Sequence, residues 1–175
     1  MRWMWIDQVV HHEPRHRLVT IKNVSLAEEH LHDHLPPDEH HAAPLPLMPA
    51  SLMIEGMAQT AGILVGTMTD FKEKVVLAKV ALARLDADVI PGQTIRYDAT
   101  IDRYDAVGAS TTGVIQRMKH AAPDASPNEW ETIGEVNLMF SQLDQNMAGT
   151  VFPEHNFVFD AFDEFLESQG LLASS

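Results

Sequence analysis

The chain has 175 residues, of which 45% are hydrophobic and 21% charged, a composition typical of a single globular domain. Its formal charge of -13 disfavours nucleic acids and anionic membrane surfaces as partners, because binding to phosphates requires basic side chains. The absence of cysteine excludes disulfides, zinc–thiolate sites and cysteine nucleophiles. No apolar run reaches the roughly 20 residues of a membrane span, and the N-terminus lacks the apolar core of a signal peptide, so we expect a cytoplasmic protein.

The first predicted elements are a strand and a buried helix. The strand covers residues 16–24, and a histidine-rich segment follows it and ends in "PLPLMPA", where three prolines exclude a helix interior. A helix is predicted over residues 51–68, and it is expected to be buried because apolar residues occur almost all the way around it. Pro49 suits its first turn, and Ser51 is expected to cap it with its hydroxyl.

Residues 75–143 have strand character, with short turns between long strands and one longer loop at residues 119–129. Such connections favour an antiparallel meander. Residues 157–170 then predict an amphipathic helix on the outside of the sheet, with Gly170 as its stop. Its apolar stripe consists of Phe159, Phe162, Phe165 and Leu166. The predicted fold is α+β, with a curved antiparallel sheet around one long helix and an extra C-terminal helix.

Glu55 is the residue of the long helix with the clearest chemical meaning. It lies about one turn into the helix among apolar neighbours, and Gln59 follows on the same face. If Glu55 is buried, its carboxyl group favours the protonated form and suits proton transfer. If its head reaches water, it is an acid that the helix dipole stabilises. Near it, the backbone N–H groups of Ala50 and Ser51 point out of the helix start, where they either cap the helix or polarise a carbonyl oxygen.

The segment "HLHDHLPPDEHH", residues 30–41, contains five histidines. In an extended strand His30, His32 and His34 would face the same way around Asp33, and three imidazoles can bind zinc. No later series of histidines or acids supplies further ligands. We therefore expect neither a metal nor a cofactor, and the residues alone leave a catalytic histidine and a solvated, histidine-rich loop as the two interpretations of this segment.

Two stretches carry a resemblance to a known family. "NVSLAEEHLHDHLP" followed by "PLMPASLMIEGMAQTAGIL" resembles the central region of the 3-hydroxyacyl-[acyl carrier protein] dehydratases, in which His-Phe-Pro precedes Pro-x-Met-Pro-Gly and Glu-Ala-x-Ala-Gln. The resemblance extends over roughly residues 3–143. It implies a hotdog domain over residues 1–146, with residues 147–175 as a C-terminal helical extension packed on that domain. It also implies a homodimer, which many members extend to a trimer of dimers.

The resemblance further implies an activity and site residues. Members dehydrate 3-hydroxyacyl thioesters on acyl carrier protein to trans-2-enoyl thioesters in fatty acid biosynthesis, with the histidine of one subunit facing the acid of the other. Glu55 matches the catalytic acid, and the amide of Ala50 matches the group that binds the thioester carbonyl. Ser51, Gln59 and Met48 are further substrate-binding candidates. A hotdog thioesterase and a non-catalytic acyl-binding protein remain alternatives.

Two histidines are candidates for the catalytic histidine of the family. Counting forward from Asn-Val-Ser leads to His34, and His34-Leu35-Pro36 matches His-Phe-Pro. Counting back fourteen residues from Glu55, the family's spacing, leads to His41. An insertion of seven residues accounts for the difference, and we favour His34 because Leu-Pro follows it.

The acidic charge of the chain raises a question about an acyl carrier protein as partner, because carrier proteins are themselves acidic. Basic residues are concentrated in one stretch of the sequence, at Lys72, Lys74, Lys79 and Arg84. We hypothesise that they form a local patch for the carrier, although a solvated face would carry the same residues.

Overall fold

The computed structural model describes residues 3–31, 37, 39, 45–118, 129–143 and 164–171. The first half contains β1 (Gln8–Glu13), β2 (Arg17–Asn23), a 3-10 turn (Glu29–Leu31) and α1 (Ala50–Thr67). The second half contains four long strands, β3 (Lys74–Leu85), β4 (Thr94–Asp105), β5 (Gly108–Met118) and β6 (Trp130–Leu143).

The six strands form one antiparallel sheet in the order β1-β2-β4-β5-β6-β3. The predicted meander is present for β4, β5 and β6. It is wrong for β3, which lies at the edge beside β6, so that residues 86–93 carry the chain across to β4 beside β2. The error arises because the residue pattern of a strand specifies its two faces but not its neighbours.

β1 is a strand that the sequence pattern does not predict. Most of its residues are exposed, so it shows no alternation of apolar and polar side chains. It is defined by backbone pairing with β2, which places Gln8 opposite Ile21 and Glu13 opposite Arg17. The strand is therefore a product of the tertiary structure rather than of its own residue pattern.

α1 lies against the inner face of the sheet and contacts β2, β3, β4, β5 and β6. Its second half is buried almost all the way around, as predicted. On β4 the predicted alternation is confirmed, because Ile95, Tyr97 and Ala99 are all 0% exposed and face the helix. No helix in the described part of the chain combines the length and apolar character that a bilayer crossing requires.

The start of α1 differs from the prediction by one residue. The helix begins at Ala50, Pro49 is its N-cap residue, and no side chain caps it. Ser51 is exposed within the first turn, so the predicted hydroxyl cap is wrong. The carbonyl oxygen of Pro49 instead accepts the N–H groups of Leu52 at 3.0 Å and Met53 at 3.1 Å.

The described part of the C-terminal segment forms one helical turn at residues 164–168. Leu166 is 3% exposed and packs in the core. The turn ends at Gly170, as predicted, with a φ of 71° and a Leu171 N–H that donates to the Leu166 carbonyl at 2.9 Å. Phe159, Phe162 and the proposed boundary near residue 146 lie outside the described residues.

Candidate active site

Glu55 is partly buried on α1, between the exposed first turn and the fully packed second half of the helix. The neighbouring residues Met53, Gly56 and Met57 are buried. Its Oε1 atom accepts a hydrogen bond from Nε2 of Gln59 at 3.0 Å. The carboxyl group is thus neither enclosed in the core nor free in solvent, and one of its oxygens is held by the next turn of the helix.

Gln59 connects α1 to the N-terminal segment. Its side chain is 8% exposed. Oε1 of Gln59 accepts the backbone N–H of Trp5 at 2.8 Å, and Nε2 donates to the carbonyl oxygen of Trp3 at 3.0 Å. The spacing of Glu55 and Gln59 predicts their contact, but these two backbone partners are 54 and 56 residues away along the chain. No local pattern predicts them.

The start of α1 presents backbone donors at the surface. Ala50 and Ser51 are exposed, and their N–H groups precede the first hydrogen bonds of the helix, in which Leu52 and Met53 donate to Pro49. Met48 is 2% exposed, and its backbone N–H donates to the Val89 carbonyl at 2.8 Å. Its side chain therefore packs in the core while Ala50 and Ser51 face outward.

A buried cation fixes the chain before the histidine-rich segment. Lys22 is 7% exposed and pairs with Glu28 at 2.5 Å and Asp7 at 3.3 Å. Asp7 also accepts the backbone N–H of Asn23 at 2.7 Å. The ring of His30 lies edge-on to the ring of Trp5, with 4.9 Å between the centroids. No local sequence pattern predicts this network, in which residues from three separate segments meet.

His34 and His41, the two candidates for the catalytic histidine, lie outside the described residues. So do His32 and Asp33 of the alternative zinc site. Within the ranges that the structure describes, no group of three histidine or carboxylate side chains is arranged to hold a metal ion.

Tyr97 packs on the same helix turn as Glu55. Its side chain is 0% exposed, and its hydroxyl has no hydrogen-bond partner among the described residues. Burial raises the pKa of the Tyr97 phenol above its ordinary value, so the group stays protonated and serves as a packing element. The alternation of β4 predicts that Tyr97 faces inward, but its position against Gly56 appears only in the tertiary structure.

A half-open groove of about 540 Å³ lies at the opposite end of α1. Its lining includes His12, Arg15, Phe71 and Leu171, and it does not include Glu55. Burial, followed by the proximity of His11, lowers the pKa of His12. The groove and the acid therefore belong to different ends of the helix.

Residues 2–120 match the family model of the FabA-like domain. The 3-hydroxyacyl-[acyl-carrier-protein] dehydratase FabZ of Ruminiclostridium cellulolyticum is 33% identical over 100 residues, which cover 57% of this chain and 66% of that protein. The FabZ of Solibacter usitatus is 34% identical over 114 residues, which cover 64% and 65%. The chain thus matches slightly less than two thirds of the length of these relatives.

Solved structures share the fold at low sequence identity. The dehydratase heterocomplex ApeI:P from Xenorhabdus doucetiae has a TM-score of 0.57 at 15% identity, covering 82% of this chain and 90% of that one. An acyl-CoA hydrolase from Staphylococcus aureus has a TM-score of 0.53 at 15% identity, covering 88% and 86%. The predicted hotdog fold is confirmed. The chain belongs to the FabA-like domain family.

Proposed function

We propose that this protein dehydrates 3-hydroxyacyl thioesters on acyl carrier protein to trans-2-enoyl thioesters in fatty acid biosynthesis. The observation that carries the proposal is Glu55, a partly buried acid on α1 whose Oε1 is held by Gln59 at 3.0 Å. It lies within residues 2–120, the region that matches the FabA-like domain. The FabZ relatives are named for acyl carrier protein, which supports the same carrier for this chain.

Dehydration removes a proton from C2 and a hydroxide from C3 of the acyl chain. In the proposed mechanism His34 accepts the C2 proton, and Glu55 gives its proton to the departing hydroxyl. The C2–H electron pair then forms the C2–C3 double bond and water leaves. The thioester oxygen gains negative charge on the way, and the Ala50 N–H donates to it. No cofactor takes part in these steps.

The choice of His34 over His41 rests on its sequence context. His34 follows three residues after Leu31, whose side chain is 1% exposed and belongs to the core. Leu35 and Pro36 follow it, as in the His-Phe-Pro pattern of the family. His41 has neither feature, so it is the alternative.

We also propose that two copies pair through β3 to form a homodimer, the unit from which a trimer of dimers is built. β3 is an edge strand of 12 residues, and four of its large apolar side chains are 37–42% exposed, namely Val76, Leu77, Val80 and Leu82. A long apolar edge strand presents unpaired backbone groups that a second strand satisfies. Pairing of two β3 strands would join both sheets, and the proposed contact between the histidine of one subunit and Glu55 of the other depends on it.

The proposal is tested by single substitutions and an assay of crotonyl-thioester hydration, the reverse reaction. We expect Glu55→Gln and His34→Ala to lower the rate by about 10²–10⁴-fold, the typical contribution of a general acid or base. His41→Ala is expected to retain activity. Glu29→Ala and His16→Ala are matched controls, because both side chains are exposed.

Each outcome has a defined meaning. Full activity of Glu55→Gln contradicts the dehydratase proposal. If activity is lost in His41→Ala but retained in His34→Ala, His41 is the catalytic histidine instead of His34. Release of free thiol from a saturated acyl thioester, without hydration of the enoyl thioester, identifies a thioesterase. Binding of the thioester without turnover identifies an acyl-binding protein.

A further inference from the structure

The far groove, the half-open groove at the end of α1 away from Glu55, is built by three separate segments. They are the turn between β1 and β2, the end of α1 with the turn that follows it, and the C-terminal turn. Its lining includes His12, Arg15, Thr67, Asp70, Phe71 and Leu171. Gln169 fixes the C-terminal turn, because its Oε1 accepts the backbone N–H of Val9 at 2.8 Å. This wall lies outside residues 2–120, the region that matches the FabA-like domain.

A bulge in β1 places His12 on the side of the far groove. Val9 lies opposite Thr20 and His12 lies opposite Leu18, and the register shifts between these two pairs. Opposite residues of an antiparallel pair share a face, and Thr20 and Leu18 are both 0% exposed, so Val9 and His12 lie on the inner face. Regular alternation from Val9 would place His11 there instead. Bulges often re-aim a side chain in this way beside a functional site.

Backbone strain is concentrated at the far groove. Among the described residues, three residues other than glycine have a positive φ, and all three line this groove: Arg15 (64°), Asp70 (51°) and Phe71 (56°). Arg15 is the third residue of a turn in which the His16 N–H donates to the Glu13 carbonyl at 3.1 Å, a position at which a positive φ favours glycine. An arginine held in this conformation costs stability, which indicates a use for its side chain.

The polar groups of the far groove suit a ligand with a single negative charge. The guanidinium of Arg15 has no ion pair within the described ranges, and Nε2 of His12 is buried without a hydrogen-bond partner there. Thr67 already donates its hydrogen to a carbonyl of its own helix at 2.6 Å. Asp70, 3.6 Å from Lys72, brings a negative charge to the same lining. The groove therefore offers two donors and one unpaired cation, which match a carboxylate better than a doubly charged phosphate.

The remaining lining is apolar. Phe71 and Leu171 are partly buried and pack against the core, so each presents the rest of its side chain to the groove. The volume of about 540 Å³ is that of a site for a small molecule. We propose that the far groove binds an aliphatic carboxylate, with its charged group at Arg15 and His12 and its chain on Phe71 and Leu171. Glu55 does not line the groove, so the inference does not depend on the proposed dehydratase function.

Titration calorimetry with octanoate tests the site, and we expect saturable binding by wild type. Arg15→Gly should weaken it by about tenfold or more, the effect of losing a charge-assisted hydrogen bond. Glycine adopts the φ of 64° without a Cβ penalty, so urea denaturation should show this variant to be at least as stable as wild type. Arg15→Lys keeps the charge without the planar fork and should lose less affinity.

His12→Phe and His11→Phe are a matched pair on β1. His12→Phe keeps a ring of similar shape but removes the donor, and we expect binding to weaken about three- to tenfold. His11 is exposed and lies opposite Val19, outside the groove lining, so His11→Phe should bind octanoate as wild type does. Equal losses in both variants would overturn the assigned position of the carboxylate.

Three further probes separate the charge from the chain. Acetate lacks the chain and octanol lacks the charge, so each should bind about tenfold more weakly than octanoate or worse. Tighter binding of octyl phosphate than of octanoate would overturn the choice of a carboxylate. Absence of saturation by octanoate at millimolar concentrations, or unchanged affinity in Arg15→Gly, would overturn the site. Octanoate that shifts NMR signals beside Glu55 and not those of Phe71 and Leu171 would also do so, because it would then occupy the proposed acyl site.

Discussion

The buried ring of Tyr97 packs directly on the backbone of Gly56, the residue after Glu55. A Cβ atom added at Gly56 would lie 2.5 Å from the Tyr97 hydroxyl oxygen, well inside van der Waals contact. Tyr97 is 0% exposed, so its ring is enclosed by protein on all sides. We expect Gly56→Ala to lower the free energy of unfolding by about 1–3 kcal/mol, the usual cost of overpacking, measured by urea denaturation.

Gly62→Ala is the matched control on the same helix. Its Cβ would lie 3.6 Å from Cε1 of Phe140, an ordinary contact. Because alanine is favoured over glycine in a helix interior by about 1 kcal/mol, Gly62→Ala should be neutral or stabilising. Equal destabilisation by both substitutions would contradict the steric explanation for Gly56.

The buried ion pairs of Lys22 predict a stability effect. Lys22→Met keeps the apolar stem but removes the cation that pairs with Glu28 at 2.5 Å and Asp7 at 3.3 Å. We expect a loss of about 2 kcal/mol in unfolding free energy, because the partly buried carboxylate of Glu28 and the more exposed one of Asp7 both lose a charged donor. Lys72→Met is the control, since Lys72 and Asp70 are both exposed and such a pair contributes about 0.5 kcal/mol or less. Similar losses for both variants would rule out a special role for burial.

Asp105 predicts an acid-dependent contribution to stability. Its Oδ1 accepts the backbone N–H groups of Val107 at 2.9 Å and Gly108 at 3.3 Å, and Arg103 lies 2.9 Å from Oδ2. The Val107 hydrogen bond is the main cause that lowers the pKa of Asp105. A lowered pKa in the folded state means that the unfolded chain binds the proton first as pH falls.

The contribution of ionised Asp105 to the stability of the folded state is therefore fully present above the ordinary Asp pKa, about 4. It is lost as pH falls through the lower pKa that Asp105 has in the folded state. We expect Asp105→Ala to be less stable than wild type at pH 7, with the difference shrinking below about pH 4. Urea unfolding from pH 7 to pH 3 measures this. Asp105→Asn, which keeps an acceptor oxygen without titrating in this range, is the control. A constant difference between wild type and Asp105→Ala at all pH values would argue against the assignment.

The exposed edge of β3 predicts an association state. We expect wild type to sediment as a dimer or a multiple of it, and the double variant Leu77→Lys with Val80→Lys to sediment as a monomer, because charges on an edge strand prevent strand pairing. Val107→Lys is the control, since Val107 is 76% exposed on the turn between β4 and β5. A wild-type monomer in analytical ultracentrifugation would contradict the proposed pairing.

The basic residues of β3 predict a carrier-specific effect. Lys79 lies opposite Met139 of β6, and Arg84 lies opposite Glu135. Neither Met139 nor Glu135 is among the inward-facing residues of β6, which are buried. We expect reversal of both to Glu to raise KM for a carrier-linked substrate about tenfold at low ionic strength, with no change for a short thiol analogue. Arg15→Glu makes a charge reversal at the exposed turn between β1 and β2, outside β3, and should leave both values unchanged. Equal effects on the two substrates would exclude a docking role, and sedimentation must show that the variant still associates as wild type does.

The sequence determined the elements whose burial pattern is local. The alternation of Ile95, Tyr97 and Ala99 predicts the inner face of β4, and the all-round apolar character of residues 51–68 predicts a buried helix. Both succeed because a residue's face in a strand or helix depends only on its spacing from near neighbours. The prediction that Glu55 and Gln59 lie on the same face of the helix is confirmed for the same reason, because residues four apart are neighbours on a helix surface.

Only the tertiary structure decided which segments pair. It made β1 a strand through pairing with the adjacent β2, placed β3 at the edge beside β6, and brought the backbone of Trp3 and Trp5 to Gln59. The last two relationships join residues far apart in the chain, and all three depend on which faces and hydrogen-bonding groups are left to be satisfied once the helix is packed in the sheet. In this protein the local sequence is therefore enough to identify Glu55 as a candidate acid, whereas the contacts that orient its carboxyl group depend on the whole fold.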